Sequence, residues 1–144
     1  MHLVRKLLSI PKVRRRILIE AAWSLILARM MLRCIPFKRI EKYLSRRATK
    51  LEITGPTRDL LCRDARSAVE RIAELLPGST VCFPRAIAVQ SMLRRRGVST
   101  TLYYGARDDG SLSAHVWIQD GNVGVIGMPG EGEYRVVAKV PYQA

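Results

Sequence analysis

The chain has 144 residues, 48% of them apolar and 26% charged, so neither a disordered chain nor a fibrous repeat is expected. This length fits one domain that can bury a core without disulfide or metal staples. The net charge of +13 is uneven: residues 1–50 carry 14 Lys/Arg against two acids, a net +12, and residues 51–144 carry a net +1. The basic character therefore belongs to the N-terminal third.

Four helices are predicted in the first two thirds of the chain. A short basic lead-in ends at Pro11, and apolar residues then recur every three to four positions. The fourth helix follows Cys82-Phe83-Pro84 and closes at Gly97 behind three arginines. Breaks at 54–56 and 79–81 separate the later helices, and the four predicted ranges are 12–34, 37–50, 58–76 and 85–96.

From Val98 the apolar period changes to two, which predicts short strands. Asp120-Gly121 is a hairpin-turn pair between two of them. Helices followed by an antiparallel sheet define an α+β fold, with a cysteine-bearing helix packed on a small sheet. We expect a basic helical segment over 1–56 and the core over 57–144. The predicted strands are 101–104, 114–119, 122–126 and 134–140.

Three cysteines in no C-x-x-C spacing argue against a disulfide framework and a structural zinc site, so a cytoplasmic protein without metal or cofactor is expected. Cys34 and Cys62 fall inside helical patterns and are predicted to be packing residues. The stretch 17–35 is interrupted by Glu20, Arg29 and Arg33, so it predicts an amphipathic helix and no membrane span.

Cys82 and His115 are the candidate catalytic pair. Cys82 begins a helix, where the helix dipole and unpaired N–H groups favour a thiolate. His115, the second of only two histidines, lies on a strand and is expected to face that helix. This is the papain-type arrangement, in which the imidazole takes the thiol proton and returns it to the leaving amine. A packing cysteine and a core histidine are the alternatives.

Two further residues are candidates for substrate binding. Trp117 lies two residues after His115 and so shares its side of the strand, where it either walls the site or fills the core. Arg85, near the start of the fourth helix, is either a substrate contact or a solvated arginine. The glycine-rich loop 127–132 either borders a peptide groove or is a plain surface loop.

Several segments resemble the B2 proteins of lasso-peptide biosynthesis, which are transglutaminase-like cysteine proteases that remove a leader peptide from a ribosomally made precursor. The matching pieces are CFPRAIAVQSMLRRRG at 82–97, LYYGAR at 102–107, SAHVWIQDG at 113–121 and VIG at 125–127, with an Ala/Leu/Arg-rich helix before them. The resemblance implies a transglutaminase/papain-like core, with Cys82 as nucleophile and His115 as base.

The third catalytic residue is where the chain departs from that family. The family's Asp falls about a dozen residues after the His, where this sequence reads Val125-Ile126-Gly127-Met128. Asp120 is the nearest acid, although turn chemistry also explains it. Glu131, Glu133, a backbone carbonyl or a side-chain amide are the other candidates to orient the imidazole.

The resemblance also implies partners: the precursor's leader peptide, a separate leader-recognition protein called B1, and an ATP-dependent lasso cyclase. We expect the basic helices to contact the recognition protein or the leader, unless they are simply solvated faces. Two alternatives stay open: a non-catalytic scaffold of the same fold, and a basic protein peripheral to membrane or nucleic acid. Aromatic residues are few (6%) and not interleaved with the cations, which argues against nucleic acid.

Overall fold

A computed structural model describes residues 11–46, 52–78 and 82–141. The helices are α1 (Lys12–Cys34), α2 (Phe37–Leu44), α3 (Pro56–Leu75) and α4 (Cys82–Arg95). The strands are β1 (Thr101–Asp108), β2 (Leu112–Asp120), β3 (Val123–Ile126) and β4 (Arg135–Pro141). The α+β prediction is confirmed. The predicted lead-in at 1–10, the end of the second helix at 47–50 and the break at 79–81 lie outside the described residues.

The four strands form one antiparallel sheet in the order β3-β2-β1-β4. Asp120 pairs with Val123, so the β2–β3 hairpin closes through the two residues Gly121 and Asn122. Gly121 has a φ of 59°, which only glycine adopts at little cost. Asp120 is therefore the last residue of β2, and the two loop residues are Gly121 and Asn122 instead of the predicted Asp120 and Gly121.

Strand β4 carries a bulge where it pairs with β1. Tyr104 lies opposite Ala138 while the next residue, Gly105, lies opposite Val136, so Val137 has no partner on β1. An extra residue of this kind re-aims its side chain relative to the regular alternation. Val137 and Ala138 consequently both reach the cavity described below.

The helices pack on one face of the sheet, and α4 is the central layer because both of its sides are covered. Its residues from Ala86 to Leu93 are all buried. The sheet contributes Leu102, Val116 and Ile118 to the same core. Helix α1 joins that core through one stripe of small and apolar side chains: Leu18, Ala21, Leu25 and Ala28. The expected division at residue 56 stays a prediction.

An ion-pair cluster fastens α1 to the end of α4. The carboxylate of Glu20 accepts hydrogen bonds from Arg95 (3.1 Å) and, more closely, from Arg96. Burial alone would raise the pKa of Glu20, but hydrogen bonding and attraction from these two guanidinium groups outweigh it and lower the pKa. The Glu20 carboxylate is thus ionised, and Arg95 and Arg96 compensate its negative charge.

Helix α1 matches its predicted range and keeps Glu20, Arg29 and Arg33 within its length. In the part of the chain that the structure describes, no helix is both long enough and apolar enough to cross a bilayer.

Candidate functional site

Cys82 is the first residue of α4, and its half-buried side chain opens into a cavity of about 610 Å³. The cavity lies where the helix end meets the sheet and α2. Its other lining residues are almost all apolar: Phe37, Phe83, Tyr104, Ala114, Val116, Val137 and Ala138. A ligand whose apolar part fills this cavity would have its adjacent polar group within reach of the thiol.

Three aromatic rings build one wall of the Cys82 cavity. Phe37 meets Phe83 edge-on with the ring centroids 5.8 Å apart, and Phe83 meets Tyr104 at 6.4 Å. Phe83 follows the cysteine directly, whereas Phe37 begins α2 and Tyr104 belongs to β1. The wall therefore depends on α2 being held against the core, which Ile40 and Leu44 do by burying their side chains.

The structure does not bring His115 to Cys82. Side chains alternate along a strand, and it is Ala114 and Val116 of β2 that reach the cavity. His115 and Trp117 accordingly point to the outer face of the sheet, away from the helices. The expectation that His115 faces the helix is wrong, because burying the aliphatic residues Val116 and Ile118 fixes which face of β2 is inside. Its catalytic role stays a prediction.

The imidazole of His115 is held by a backbone carbonyl. Its Nε2 lies 2.6 Å from the carbonyl oxygen of Gly127, twelve residues further along. A carbonyl only accepts hydrogen bonds, so Nε2 carries a proton, and in the tautomer that this contact selects Nδ1 is the acceptor atom of the ring. Gly127 lies at the spacing where the resembling family has its Asp. A backbone carbonyl was one of the predicted orienting groups, and here it holds Nε2.

Trp117 fills the outer face of the sheet. Its ring stacks on Tyr103 at 5.6 Å and on His115 at 6.1 Å, and only 4% of the residue is exposed. The predicted shared side with His115 is confirmed. Trp117 is not among the residues that line the Cys82 cavity, and Tyr134 adds a further ring beside His115 at 5.2 Å. These four rings form a separate aromatic cluster.

Asp120 binds Arg58 of α3. The Nε and Nη2 atoms of Arg58 donate to the two carboxylate oxygens at 2.5 and 2.6 Å, a bidentate pair that is mostly buried. Arg58 also donates to the carbonyls of Ile53 (2.9 Å) and Ser99 (2.7 Å). Asp120 lies on the helix side of β2 and His115 on the other side, so in this structure Asp120 does not orient the imidazole.

The other two acids predicted to orient the imidazole, Glu131 and Glu133, lie in the loop that follows β3. Glu133 accepts a hydrogen bond from the backbone N–H of Gly130 at 2.8 Å and pairs with Arg107 at 2.9 Å. Glu131 is exposed. Glu133 thereby closes the loop that follows β3, and neither acid contacts the imidazole in the described structure.

Arg85 is half-buried, and its Nε atom is enclosed without a hydrogen-bond partner among the described residues. It is not among the residues that line the Cys82 cavity. Its predicted role in substrate binding stays a prediction.

The two remaining cysteines differ from each other. Cys62 packs against the core as expected, and burial, with a further contribution from Asp120, raises its pKa to about 11. Cys34 is exposed at the end of α1, so its predicted packing role is wrong. The helical period places Cys34 on the same side of α1 as Trp23 and Leu27, which are also exposed.

Sequence reasoning missed three parts of this region: the wall residues Phe37 and Tyr104, and the carboxylate's partner Arg58. Phe37 follows Pro36 at a helix start, which signals an N-terminus but not what the ring touches. Tyr104 lies two residues after Leu102 and therefore shares its face of β1, so the strand pattern does place Tyr104 on the inner face. Arg58 gave no signal, because its partner lies 62 residues away.

The sequence matches the transglutaminase-like superfamily over residues 22–139, and the chain belongs to this superfamily. The superfamily includes cysteine peptidases, and its α+β core agrees with the helices and sheet described above. The match begins within α1, which is consistent with that helix packing into the common core. Comparisons with curated proteins and with solved structures give no match.

Proposed function

We propose that this protein is a cysteine peptidase that removes the leader peptide from a lasso-peptide precursor. The observation that carries the proposal is the position of Cys82, the first residue of a helix and part of the wall of a cavity large enough for a peptide side chain. Membership of a superfamily that includes cysteine peptidases supports the reaction class. The resemblance to the B2 proteins supplies the substrate.

In this proposal the sulfur of Cys82 attacks the carbonyl carbon at the leader–core junction. The thiol proton passes to a base and then to the leaving amine, so the core peptide departs with a free N-terminus. Water then hydrolyses the thioester, which releases the leader as a carboxylate and restores the thiol. The proposed stabilisers of the oxyanion are backbone N–H groups at the start of α4.

His115 is the proposed base. The Gly127 carbonyl leaves Nδ1 free to accept a proton, which suits that role. His115 lies on the outer face of the sheet. Proton transfer from the Cys82 thiol to the imidazole therefore requires the segment of β2 from Ala114 to Val116 to change its conformation and bring the His115 side chain to the cavity. We therefore propose that the precursor or a partner shifts this segment when it binds.

The proposed partners are the leader peptide, the B1 recognition protein and the ATP-dependent cyclase. Among the described residues of the basic N-terminal third, α2 is the part that meets the cavity, because Phe37 lines it. Lys38 and Lys42 are exposed on the same helix. We propose that they attract the acidic surface of the leader or of its recognition protein, and added salt should weaken that complex. Binding that ignores salt would exclude this use of α2.

A cleavage assay tests the peptidase proposal. Precursor and recognition protein are mixed with wild type, Cys82→Ala, His115→Ala or Asp120→Asn, and leader release is followed by mass spectrometry. We expect release by wild type and by a folded Asp120→Asn variant, and none by Cys82→Ala or His115→Ala. Release by Cys82→Ala at the wild-type rate would remove the nucleophile assignment.

A second candidate is a non-catalytic scaffold of the same fold. The outward position of His115 and the bond between Asp120 and Arg58 favour it, since neither group meets the thiol in this structure. Alkylation separates the two candidates. A nucleophilic Cys82 reacts with iodoacetamide at neutral pH much faster than the exposed Cys34, whereas a packing thiol reacts more slowly.

A further inference from the structure

The outer face of α1 carries a continuous apolar stripe that no described residue covers. Its members recur every three or four positions along one side of the helix, opposite the stripe that enters the core. Trp23 lies at its centre and is 61% exposed. The stripe consists of Ile19, Trp23, Ile26, Leu27 and Met30. These five residues do not line the Cys82 cavity, so the stripe is a separate surface.

Cations border this stripe on both sides. On one side Leu27 opens onto a cleft that also contains Arg39 and Arg95. On the other side Met30 opens onto a cleft that contains Arg29 and Arg33. Further cations precede the stripe within the first turns of the helix: Lys12, Arg14, Arg15 and Arg16. An occupant of the stripe therefore meets positive charge on both sides and at the helix start.

Negative charge is nearly absent from the same surface. Glu20 is the single acid of α1, and Arg95 and Arg96 already neutralise it. Among the described residues, Arg33 and Arg39 form no ion pair with a carboxylate. The surface is thus complementary to an occupant that is apolar where it meets Trp23 and anionic at its edges.

We infer that this face of α1 docks on an anionic lipid bilayer, with the stripe at the level of the headgroups and the arginines on lipid phosphates. A bilayer offers an apolar layer beneath a layer of negative charge, and tryptophan favours the boundary between them. The stripe stands on a convex helix surface, which a deformable lipid surface accommodates directly. The helix lies on the surface, because no described helix could cross it.

Intrinsic tryptophan fluorescence can measure this docking. The chain has two tryptophans: Trp23 in the stripe is exposed, and Trp117 is 4% exposed in the aromatic cluster. Vesicles of equimolar phosphatidylglycerol and phosphatidylcholine should shift the emission of Trp23 to the blue, and Trp23→Phe should abolish the shift. Vesicles of phosphatidylcholine alone should leave the emission unchanged.

Sedimentation with the same vesicles tests the stripe itself. Leu27→Glu/Met30→Glu should weaken binding at least tenfold, because it places two anions against lipid phosphates. Leu60→Glu/Leu75→Glu is the matched control: it makes the same charge change at residues of 51% and 57% exposure, against 52% and 57% in the stripe. Arg33→Ala/Arg39→Ala should weaken binding about 25-fold, since each cation contributes about fivefold.

Three results would overturn the proposal. One is an unchanged Trp23 spectrum with anionic vesicles, and another is equal binding to vesicles of phosphatidylcholine alone. The third is self-association in sedimentation velocity that Leu27→Glu/Met30→Glu abolishes, which would assign the face to a second copy of this chain. Circular dichroism of each variant confirms that lost binding is not lost folding.

Discussion

The guanidinium of Arg58 joins three separate segments of the chain through one side chain. It reaches the end of β2 through Asp120, the residues before α3 through Glu52 and Ile53, and the turn before β1 through Ser99. The short bidentate contact with Asp120 is the main cause of the raised pKa of Arg58. Removing Arg58 leaves the mostly buried Asp120 without its counterion, and removing Asp120 leaves Arg58 only the exposed Glu52, so either loss is costly.

We therefore expect Arg58→Ala to lower the free energy of unfolding by about 2 kcal/mol, and Asp120→Asn by about 1 kcal/mol because the amide oxygen still accepts one of the two hydrogen bonds. Urea denaturation measures both. Arg63→Ala on the exposed side of α3 is the control and should change stability little. Equal losses for Arg58→Ala and Arg63→Ala would contradict a structural role for the pair.

The thiol of Cys62 should be nearly inert at neutral pH. Its pKa is raised to about 11, so at pH 8 only about one molecule in a thousand holds the thiolate, which is the reactive form. Iodoacetamide labelling followed by peptide mass spectrometry should modify the exposed Cys34 well before Cys62, which reacts only as the pH approaches 11. Rapid labelling of Cys62 at pH 8 would show that the side chain is not buried as described.

The contact between α1 and α4 has a pH dependence whose sign follows from Glu20. Its pKa is lowered below the ordinary value of 4.5, so the contribution of the ion pairs is complete above pH 4.5. It is lost as the pH falls through the lowered value, because the carboxylate then takes up a proton. The two helices are consequently held less tightly in acid.

Glu20→Gln should therefore be less stable than wild type at pH 7, and the difference should shrink as the pH falls below about 4.5. Thermal unfolding over this pH range measures it. Glu74→Gln, at an exposed residue of α3, serves as the control. A difference between wild type and Glu20→Gln that stays constant down to pH 2 would contradict the assignment.

The close packing of β1 against the aromatic cluster depends on Gly105, which has no side chain. A Cβ on Gly105 would lie 2.7 Å from Cζ3 of Trp117 and 2.9 Å from Cβ of Tyr134. Gly105→Ala should thus displace the indole, lower stability by about 1–3 kcal/mol and alter the emission of Trp117. The double variant with Trp117→Phe should recover part of the loss, and no recovery would mean that the strain lies elsewhere.

For the helices and strands, the sequence predicted the order and type of the elements but misjudged some limits and one face. Helix α4 begins at Cys82 and not at 85, and β1 extends to Asp108 and not to 104. Proline and apolar spacing set both limits of α1, and Gly97 sets the end of α4, because those signals are local.

The alternation of Val116 and Ile118 with His115 and Trp117 was also present in the sequence, yet it assigns sides without saying which is inside. Only packing against α4 decides that, and the same holds for Asp120, whose partner is distant in the chain.

Across the whole molecule, α1 and the sheet share one core, so they should unfold together. Leu25 is fully buried in α1, and Leu25→Ala should lower stability by about 2–5 kcal/mol. In a Trp23→Phe background the fluorescence of Trp117, on the far face of the sheet, should report that loss in one transition. A Trp117 signal indifferent to Leu25→Ala would instead support an independent segment over residues 1–56.

The bulge at Val137 also affects how copies of the protein meet in concentrated solution. Strand β4 is an outer strand of the sheet, and an outer strand that is flat and apolar invites intermolecular pairing and fibre growth. Here the extra residue interrupts the regular ladder, and Arg135 and Lys139 add like charge along the same strand. Straightening β4 by deleting Val137 would therefore expose a template for aggregation, visible as light scattering and thioflavin binding on storage.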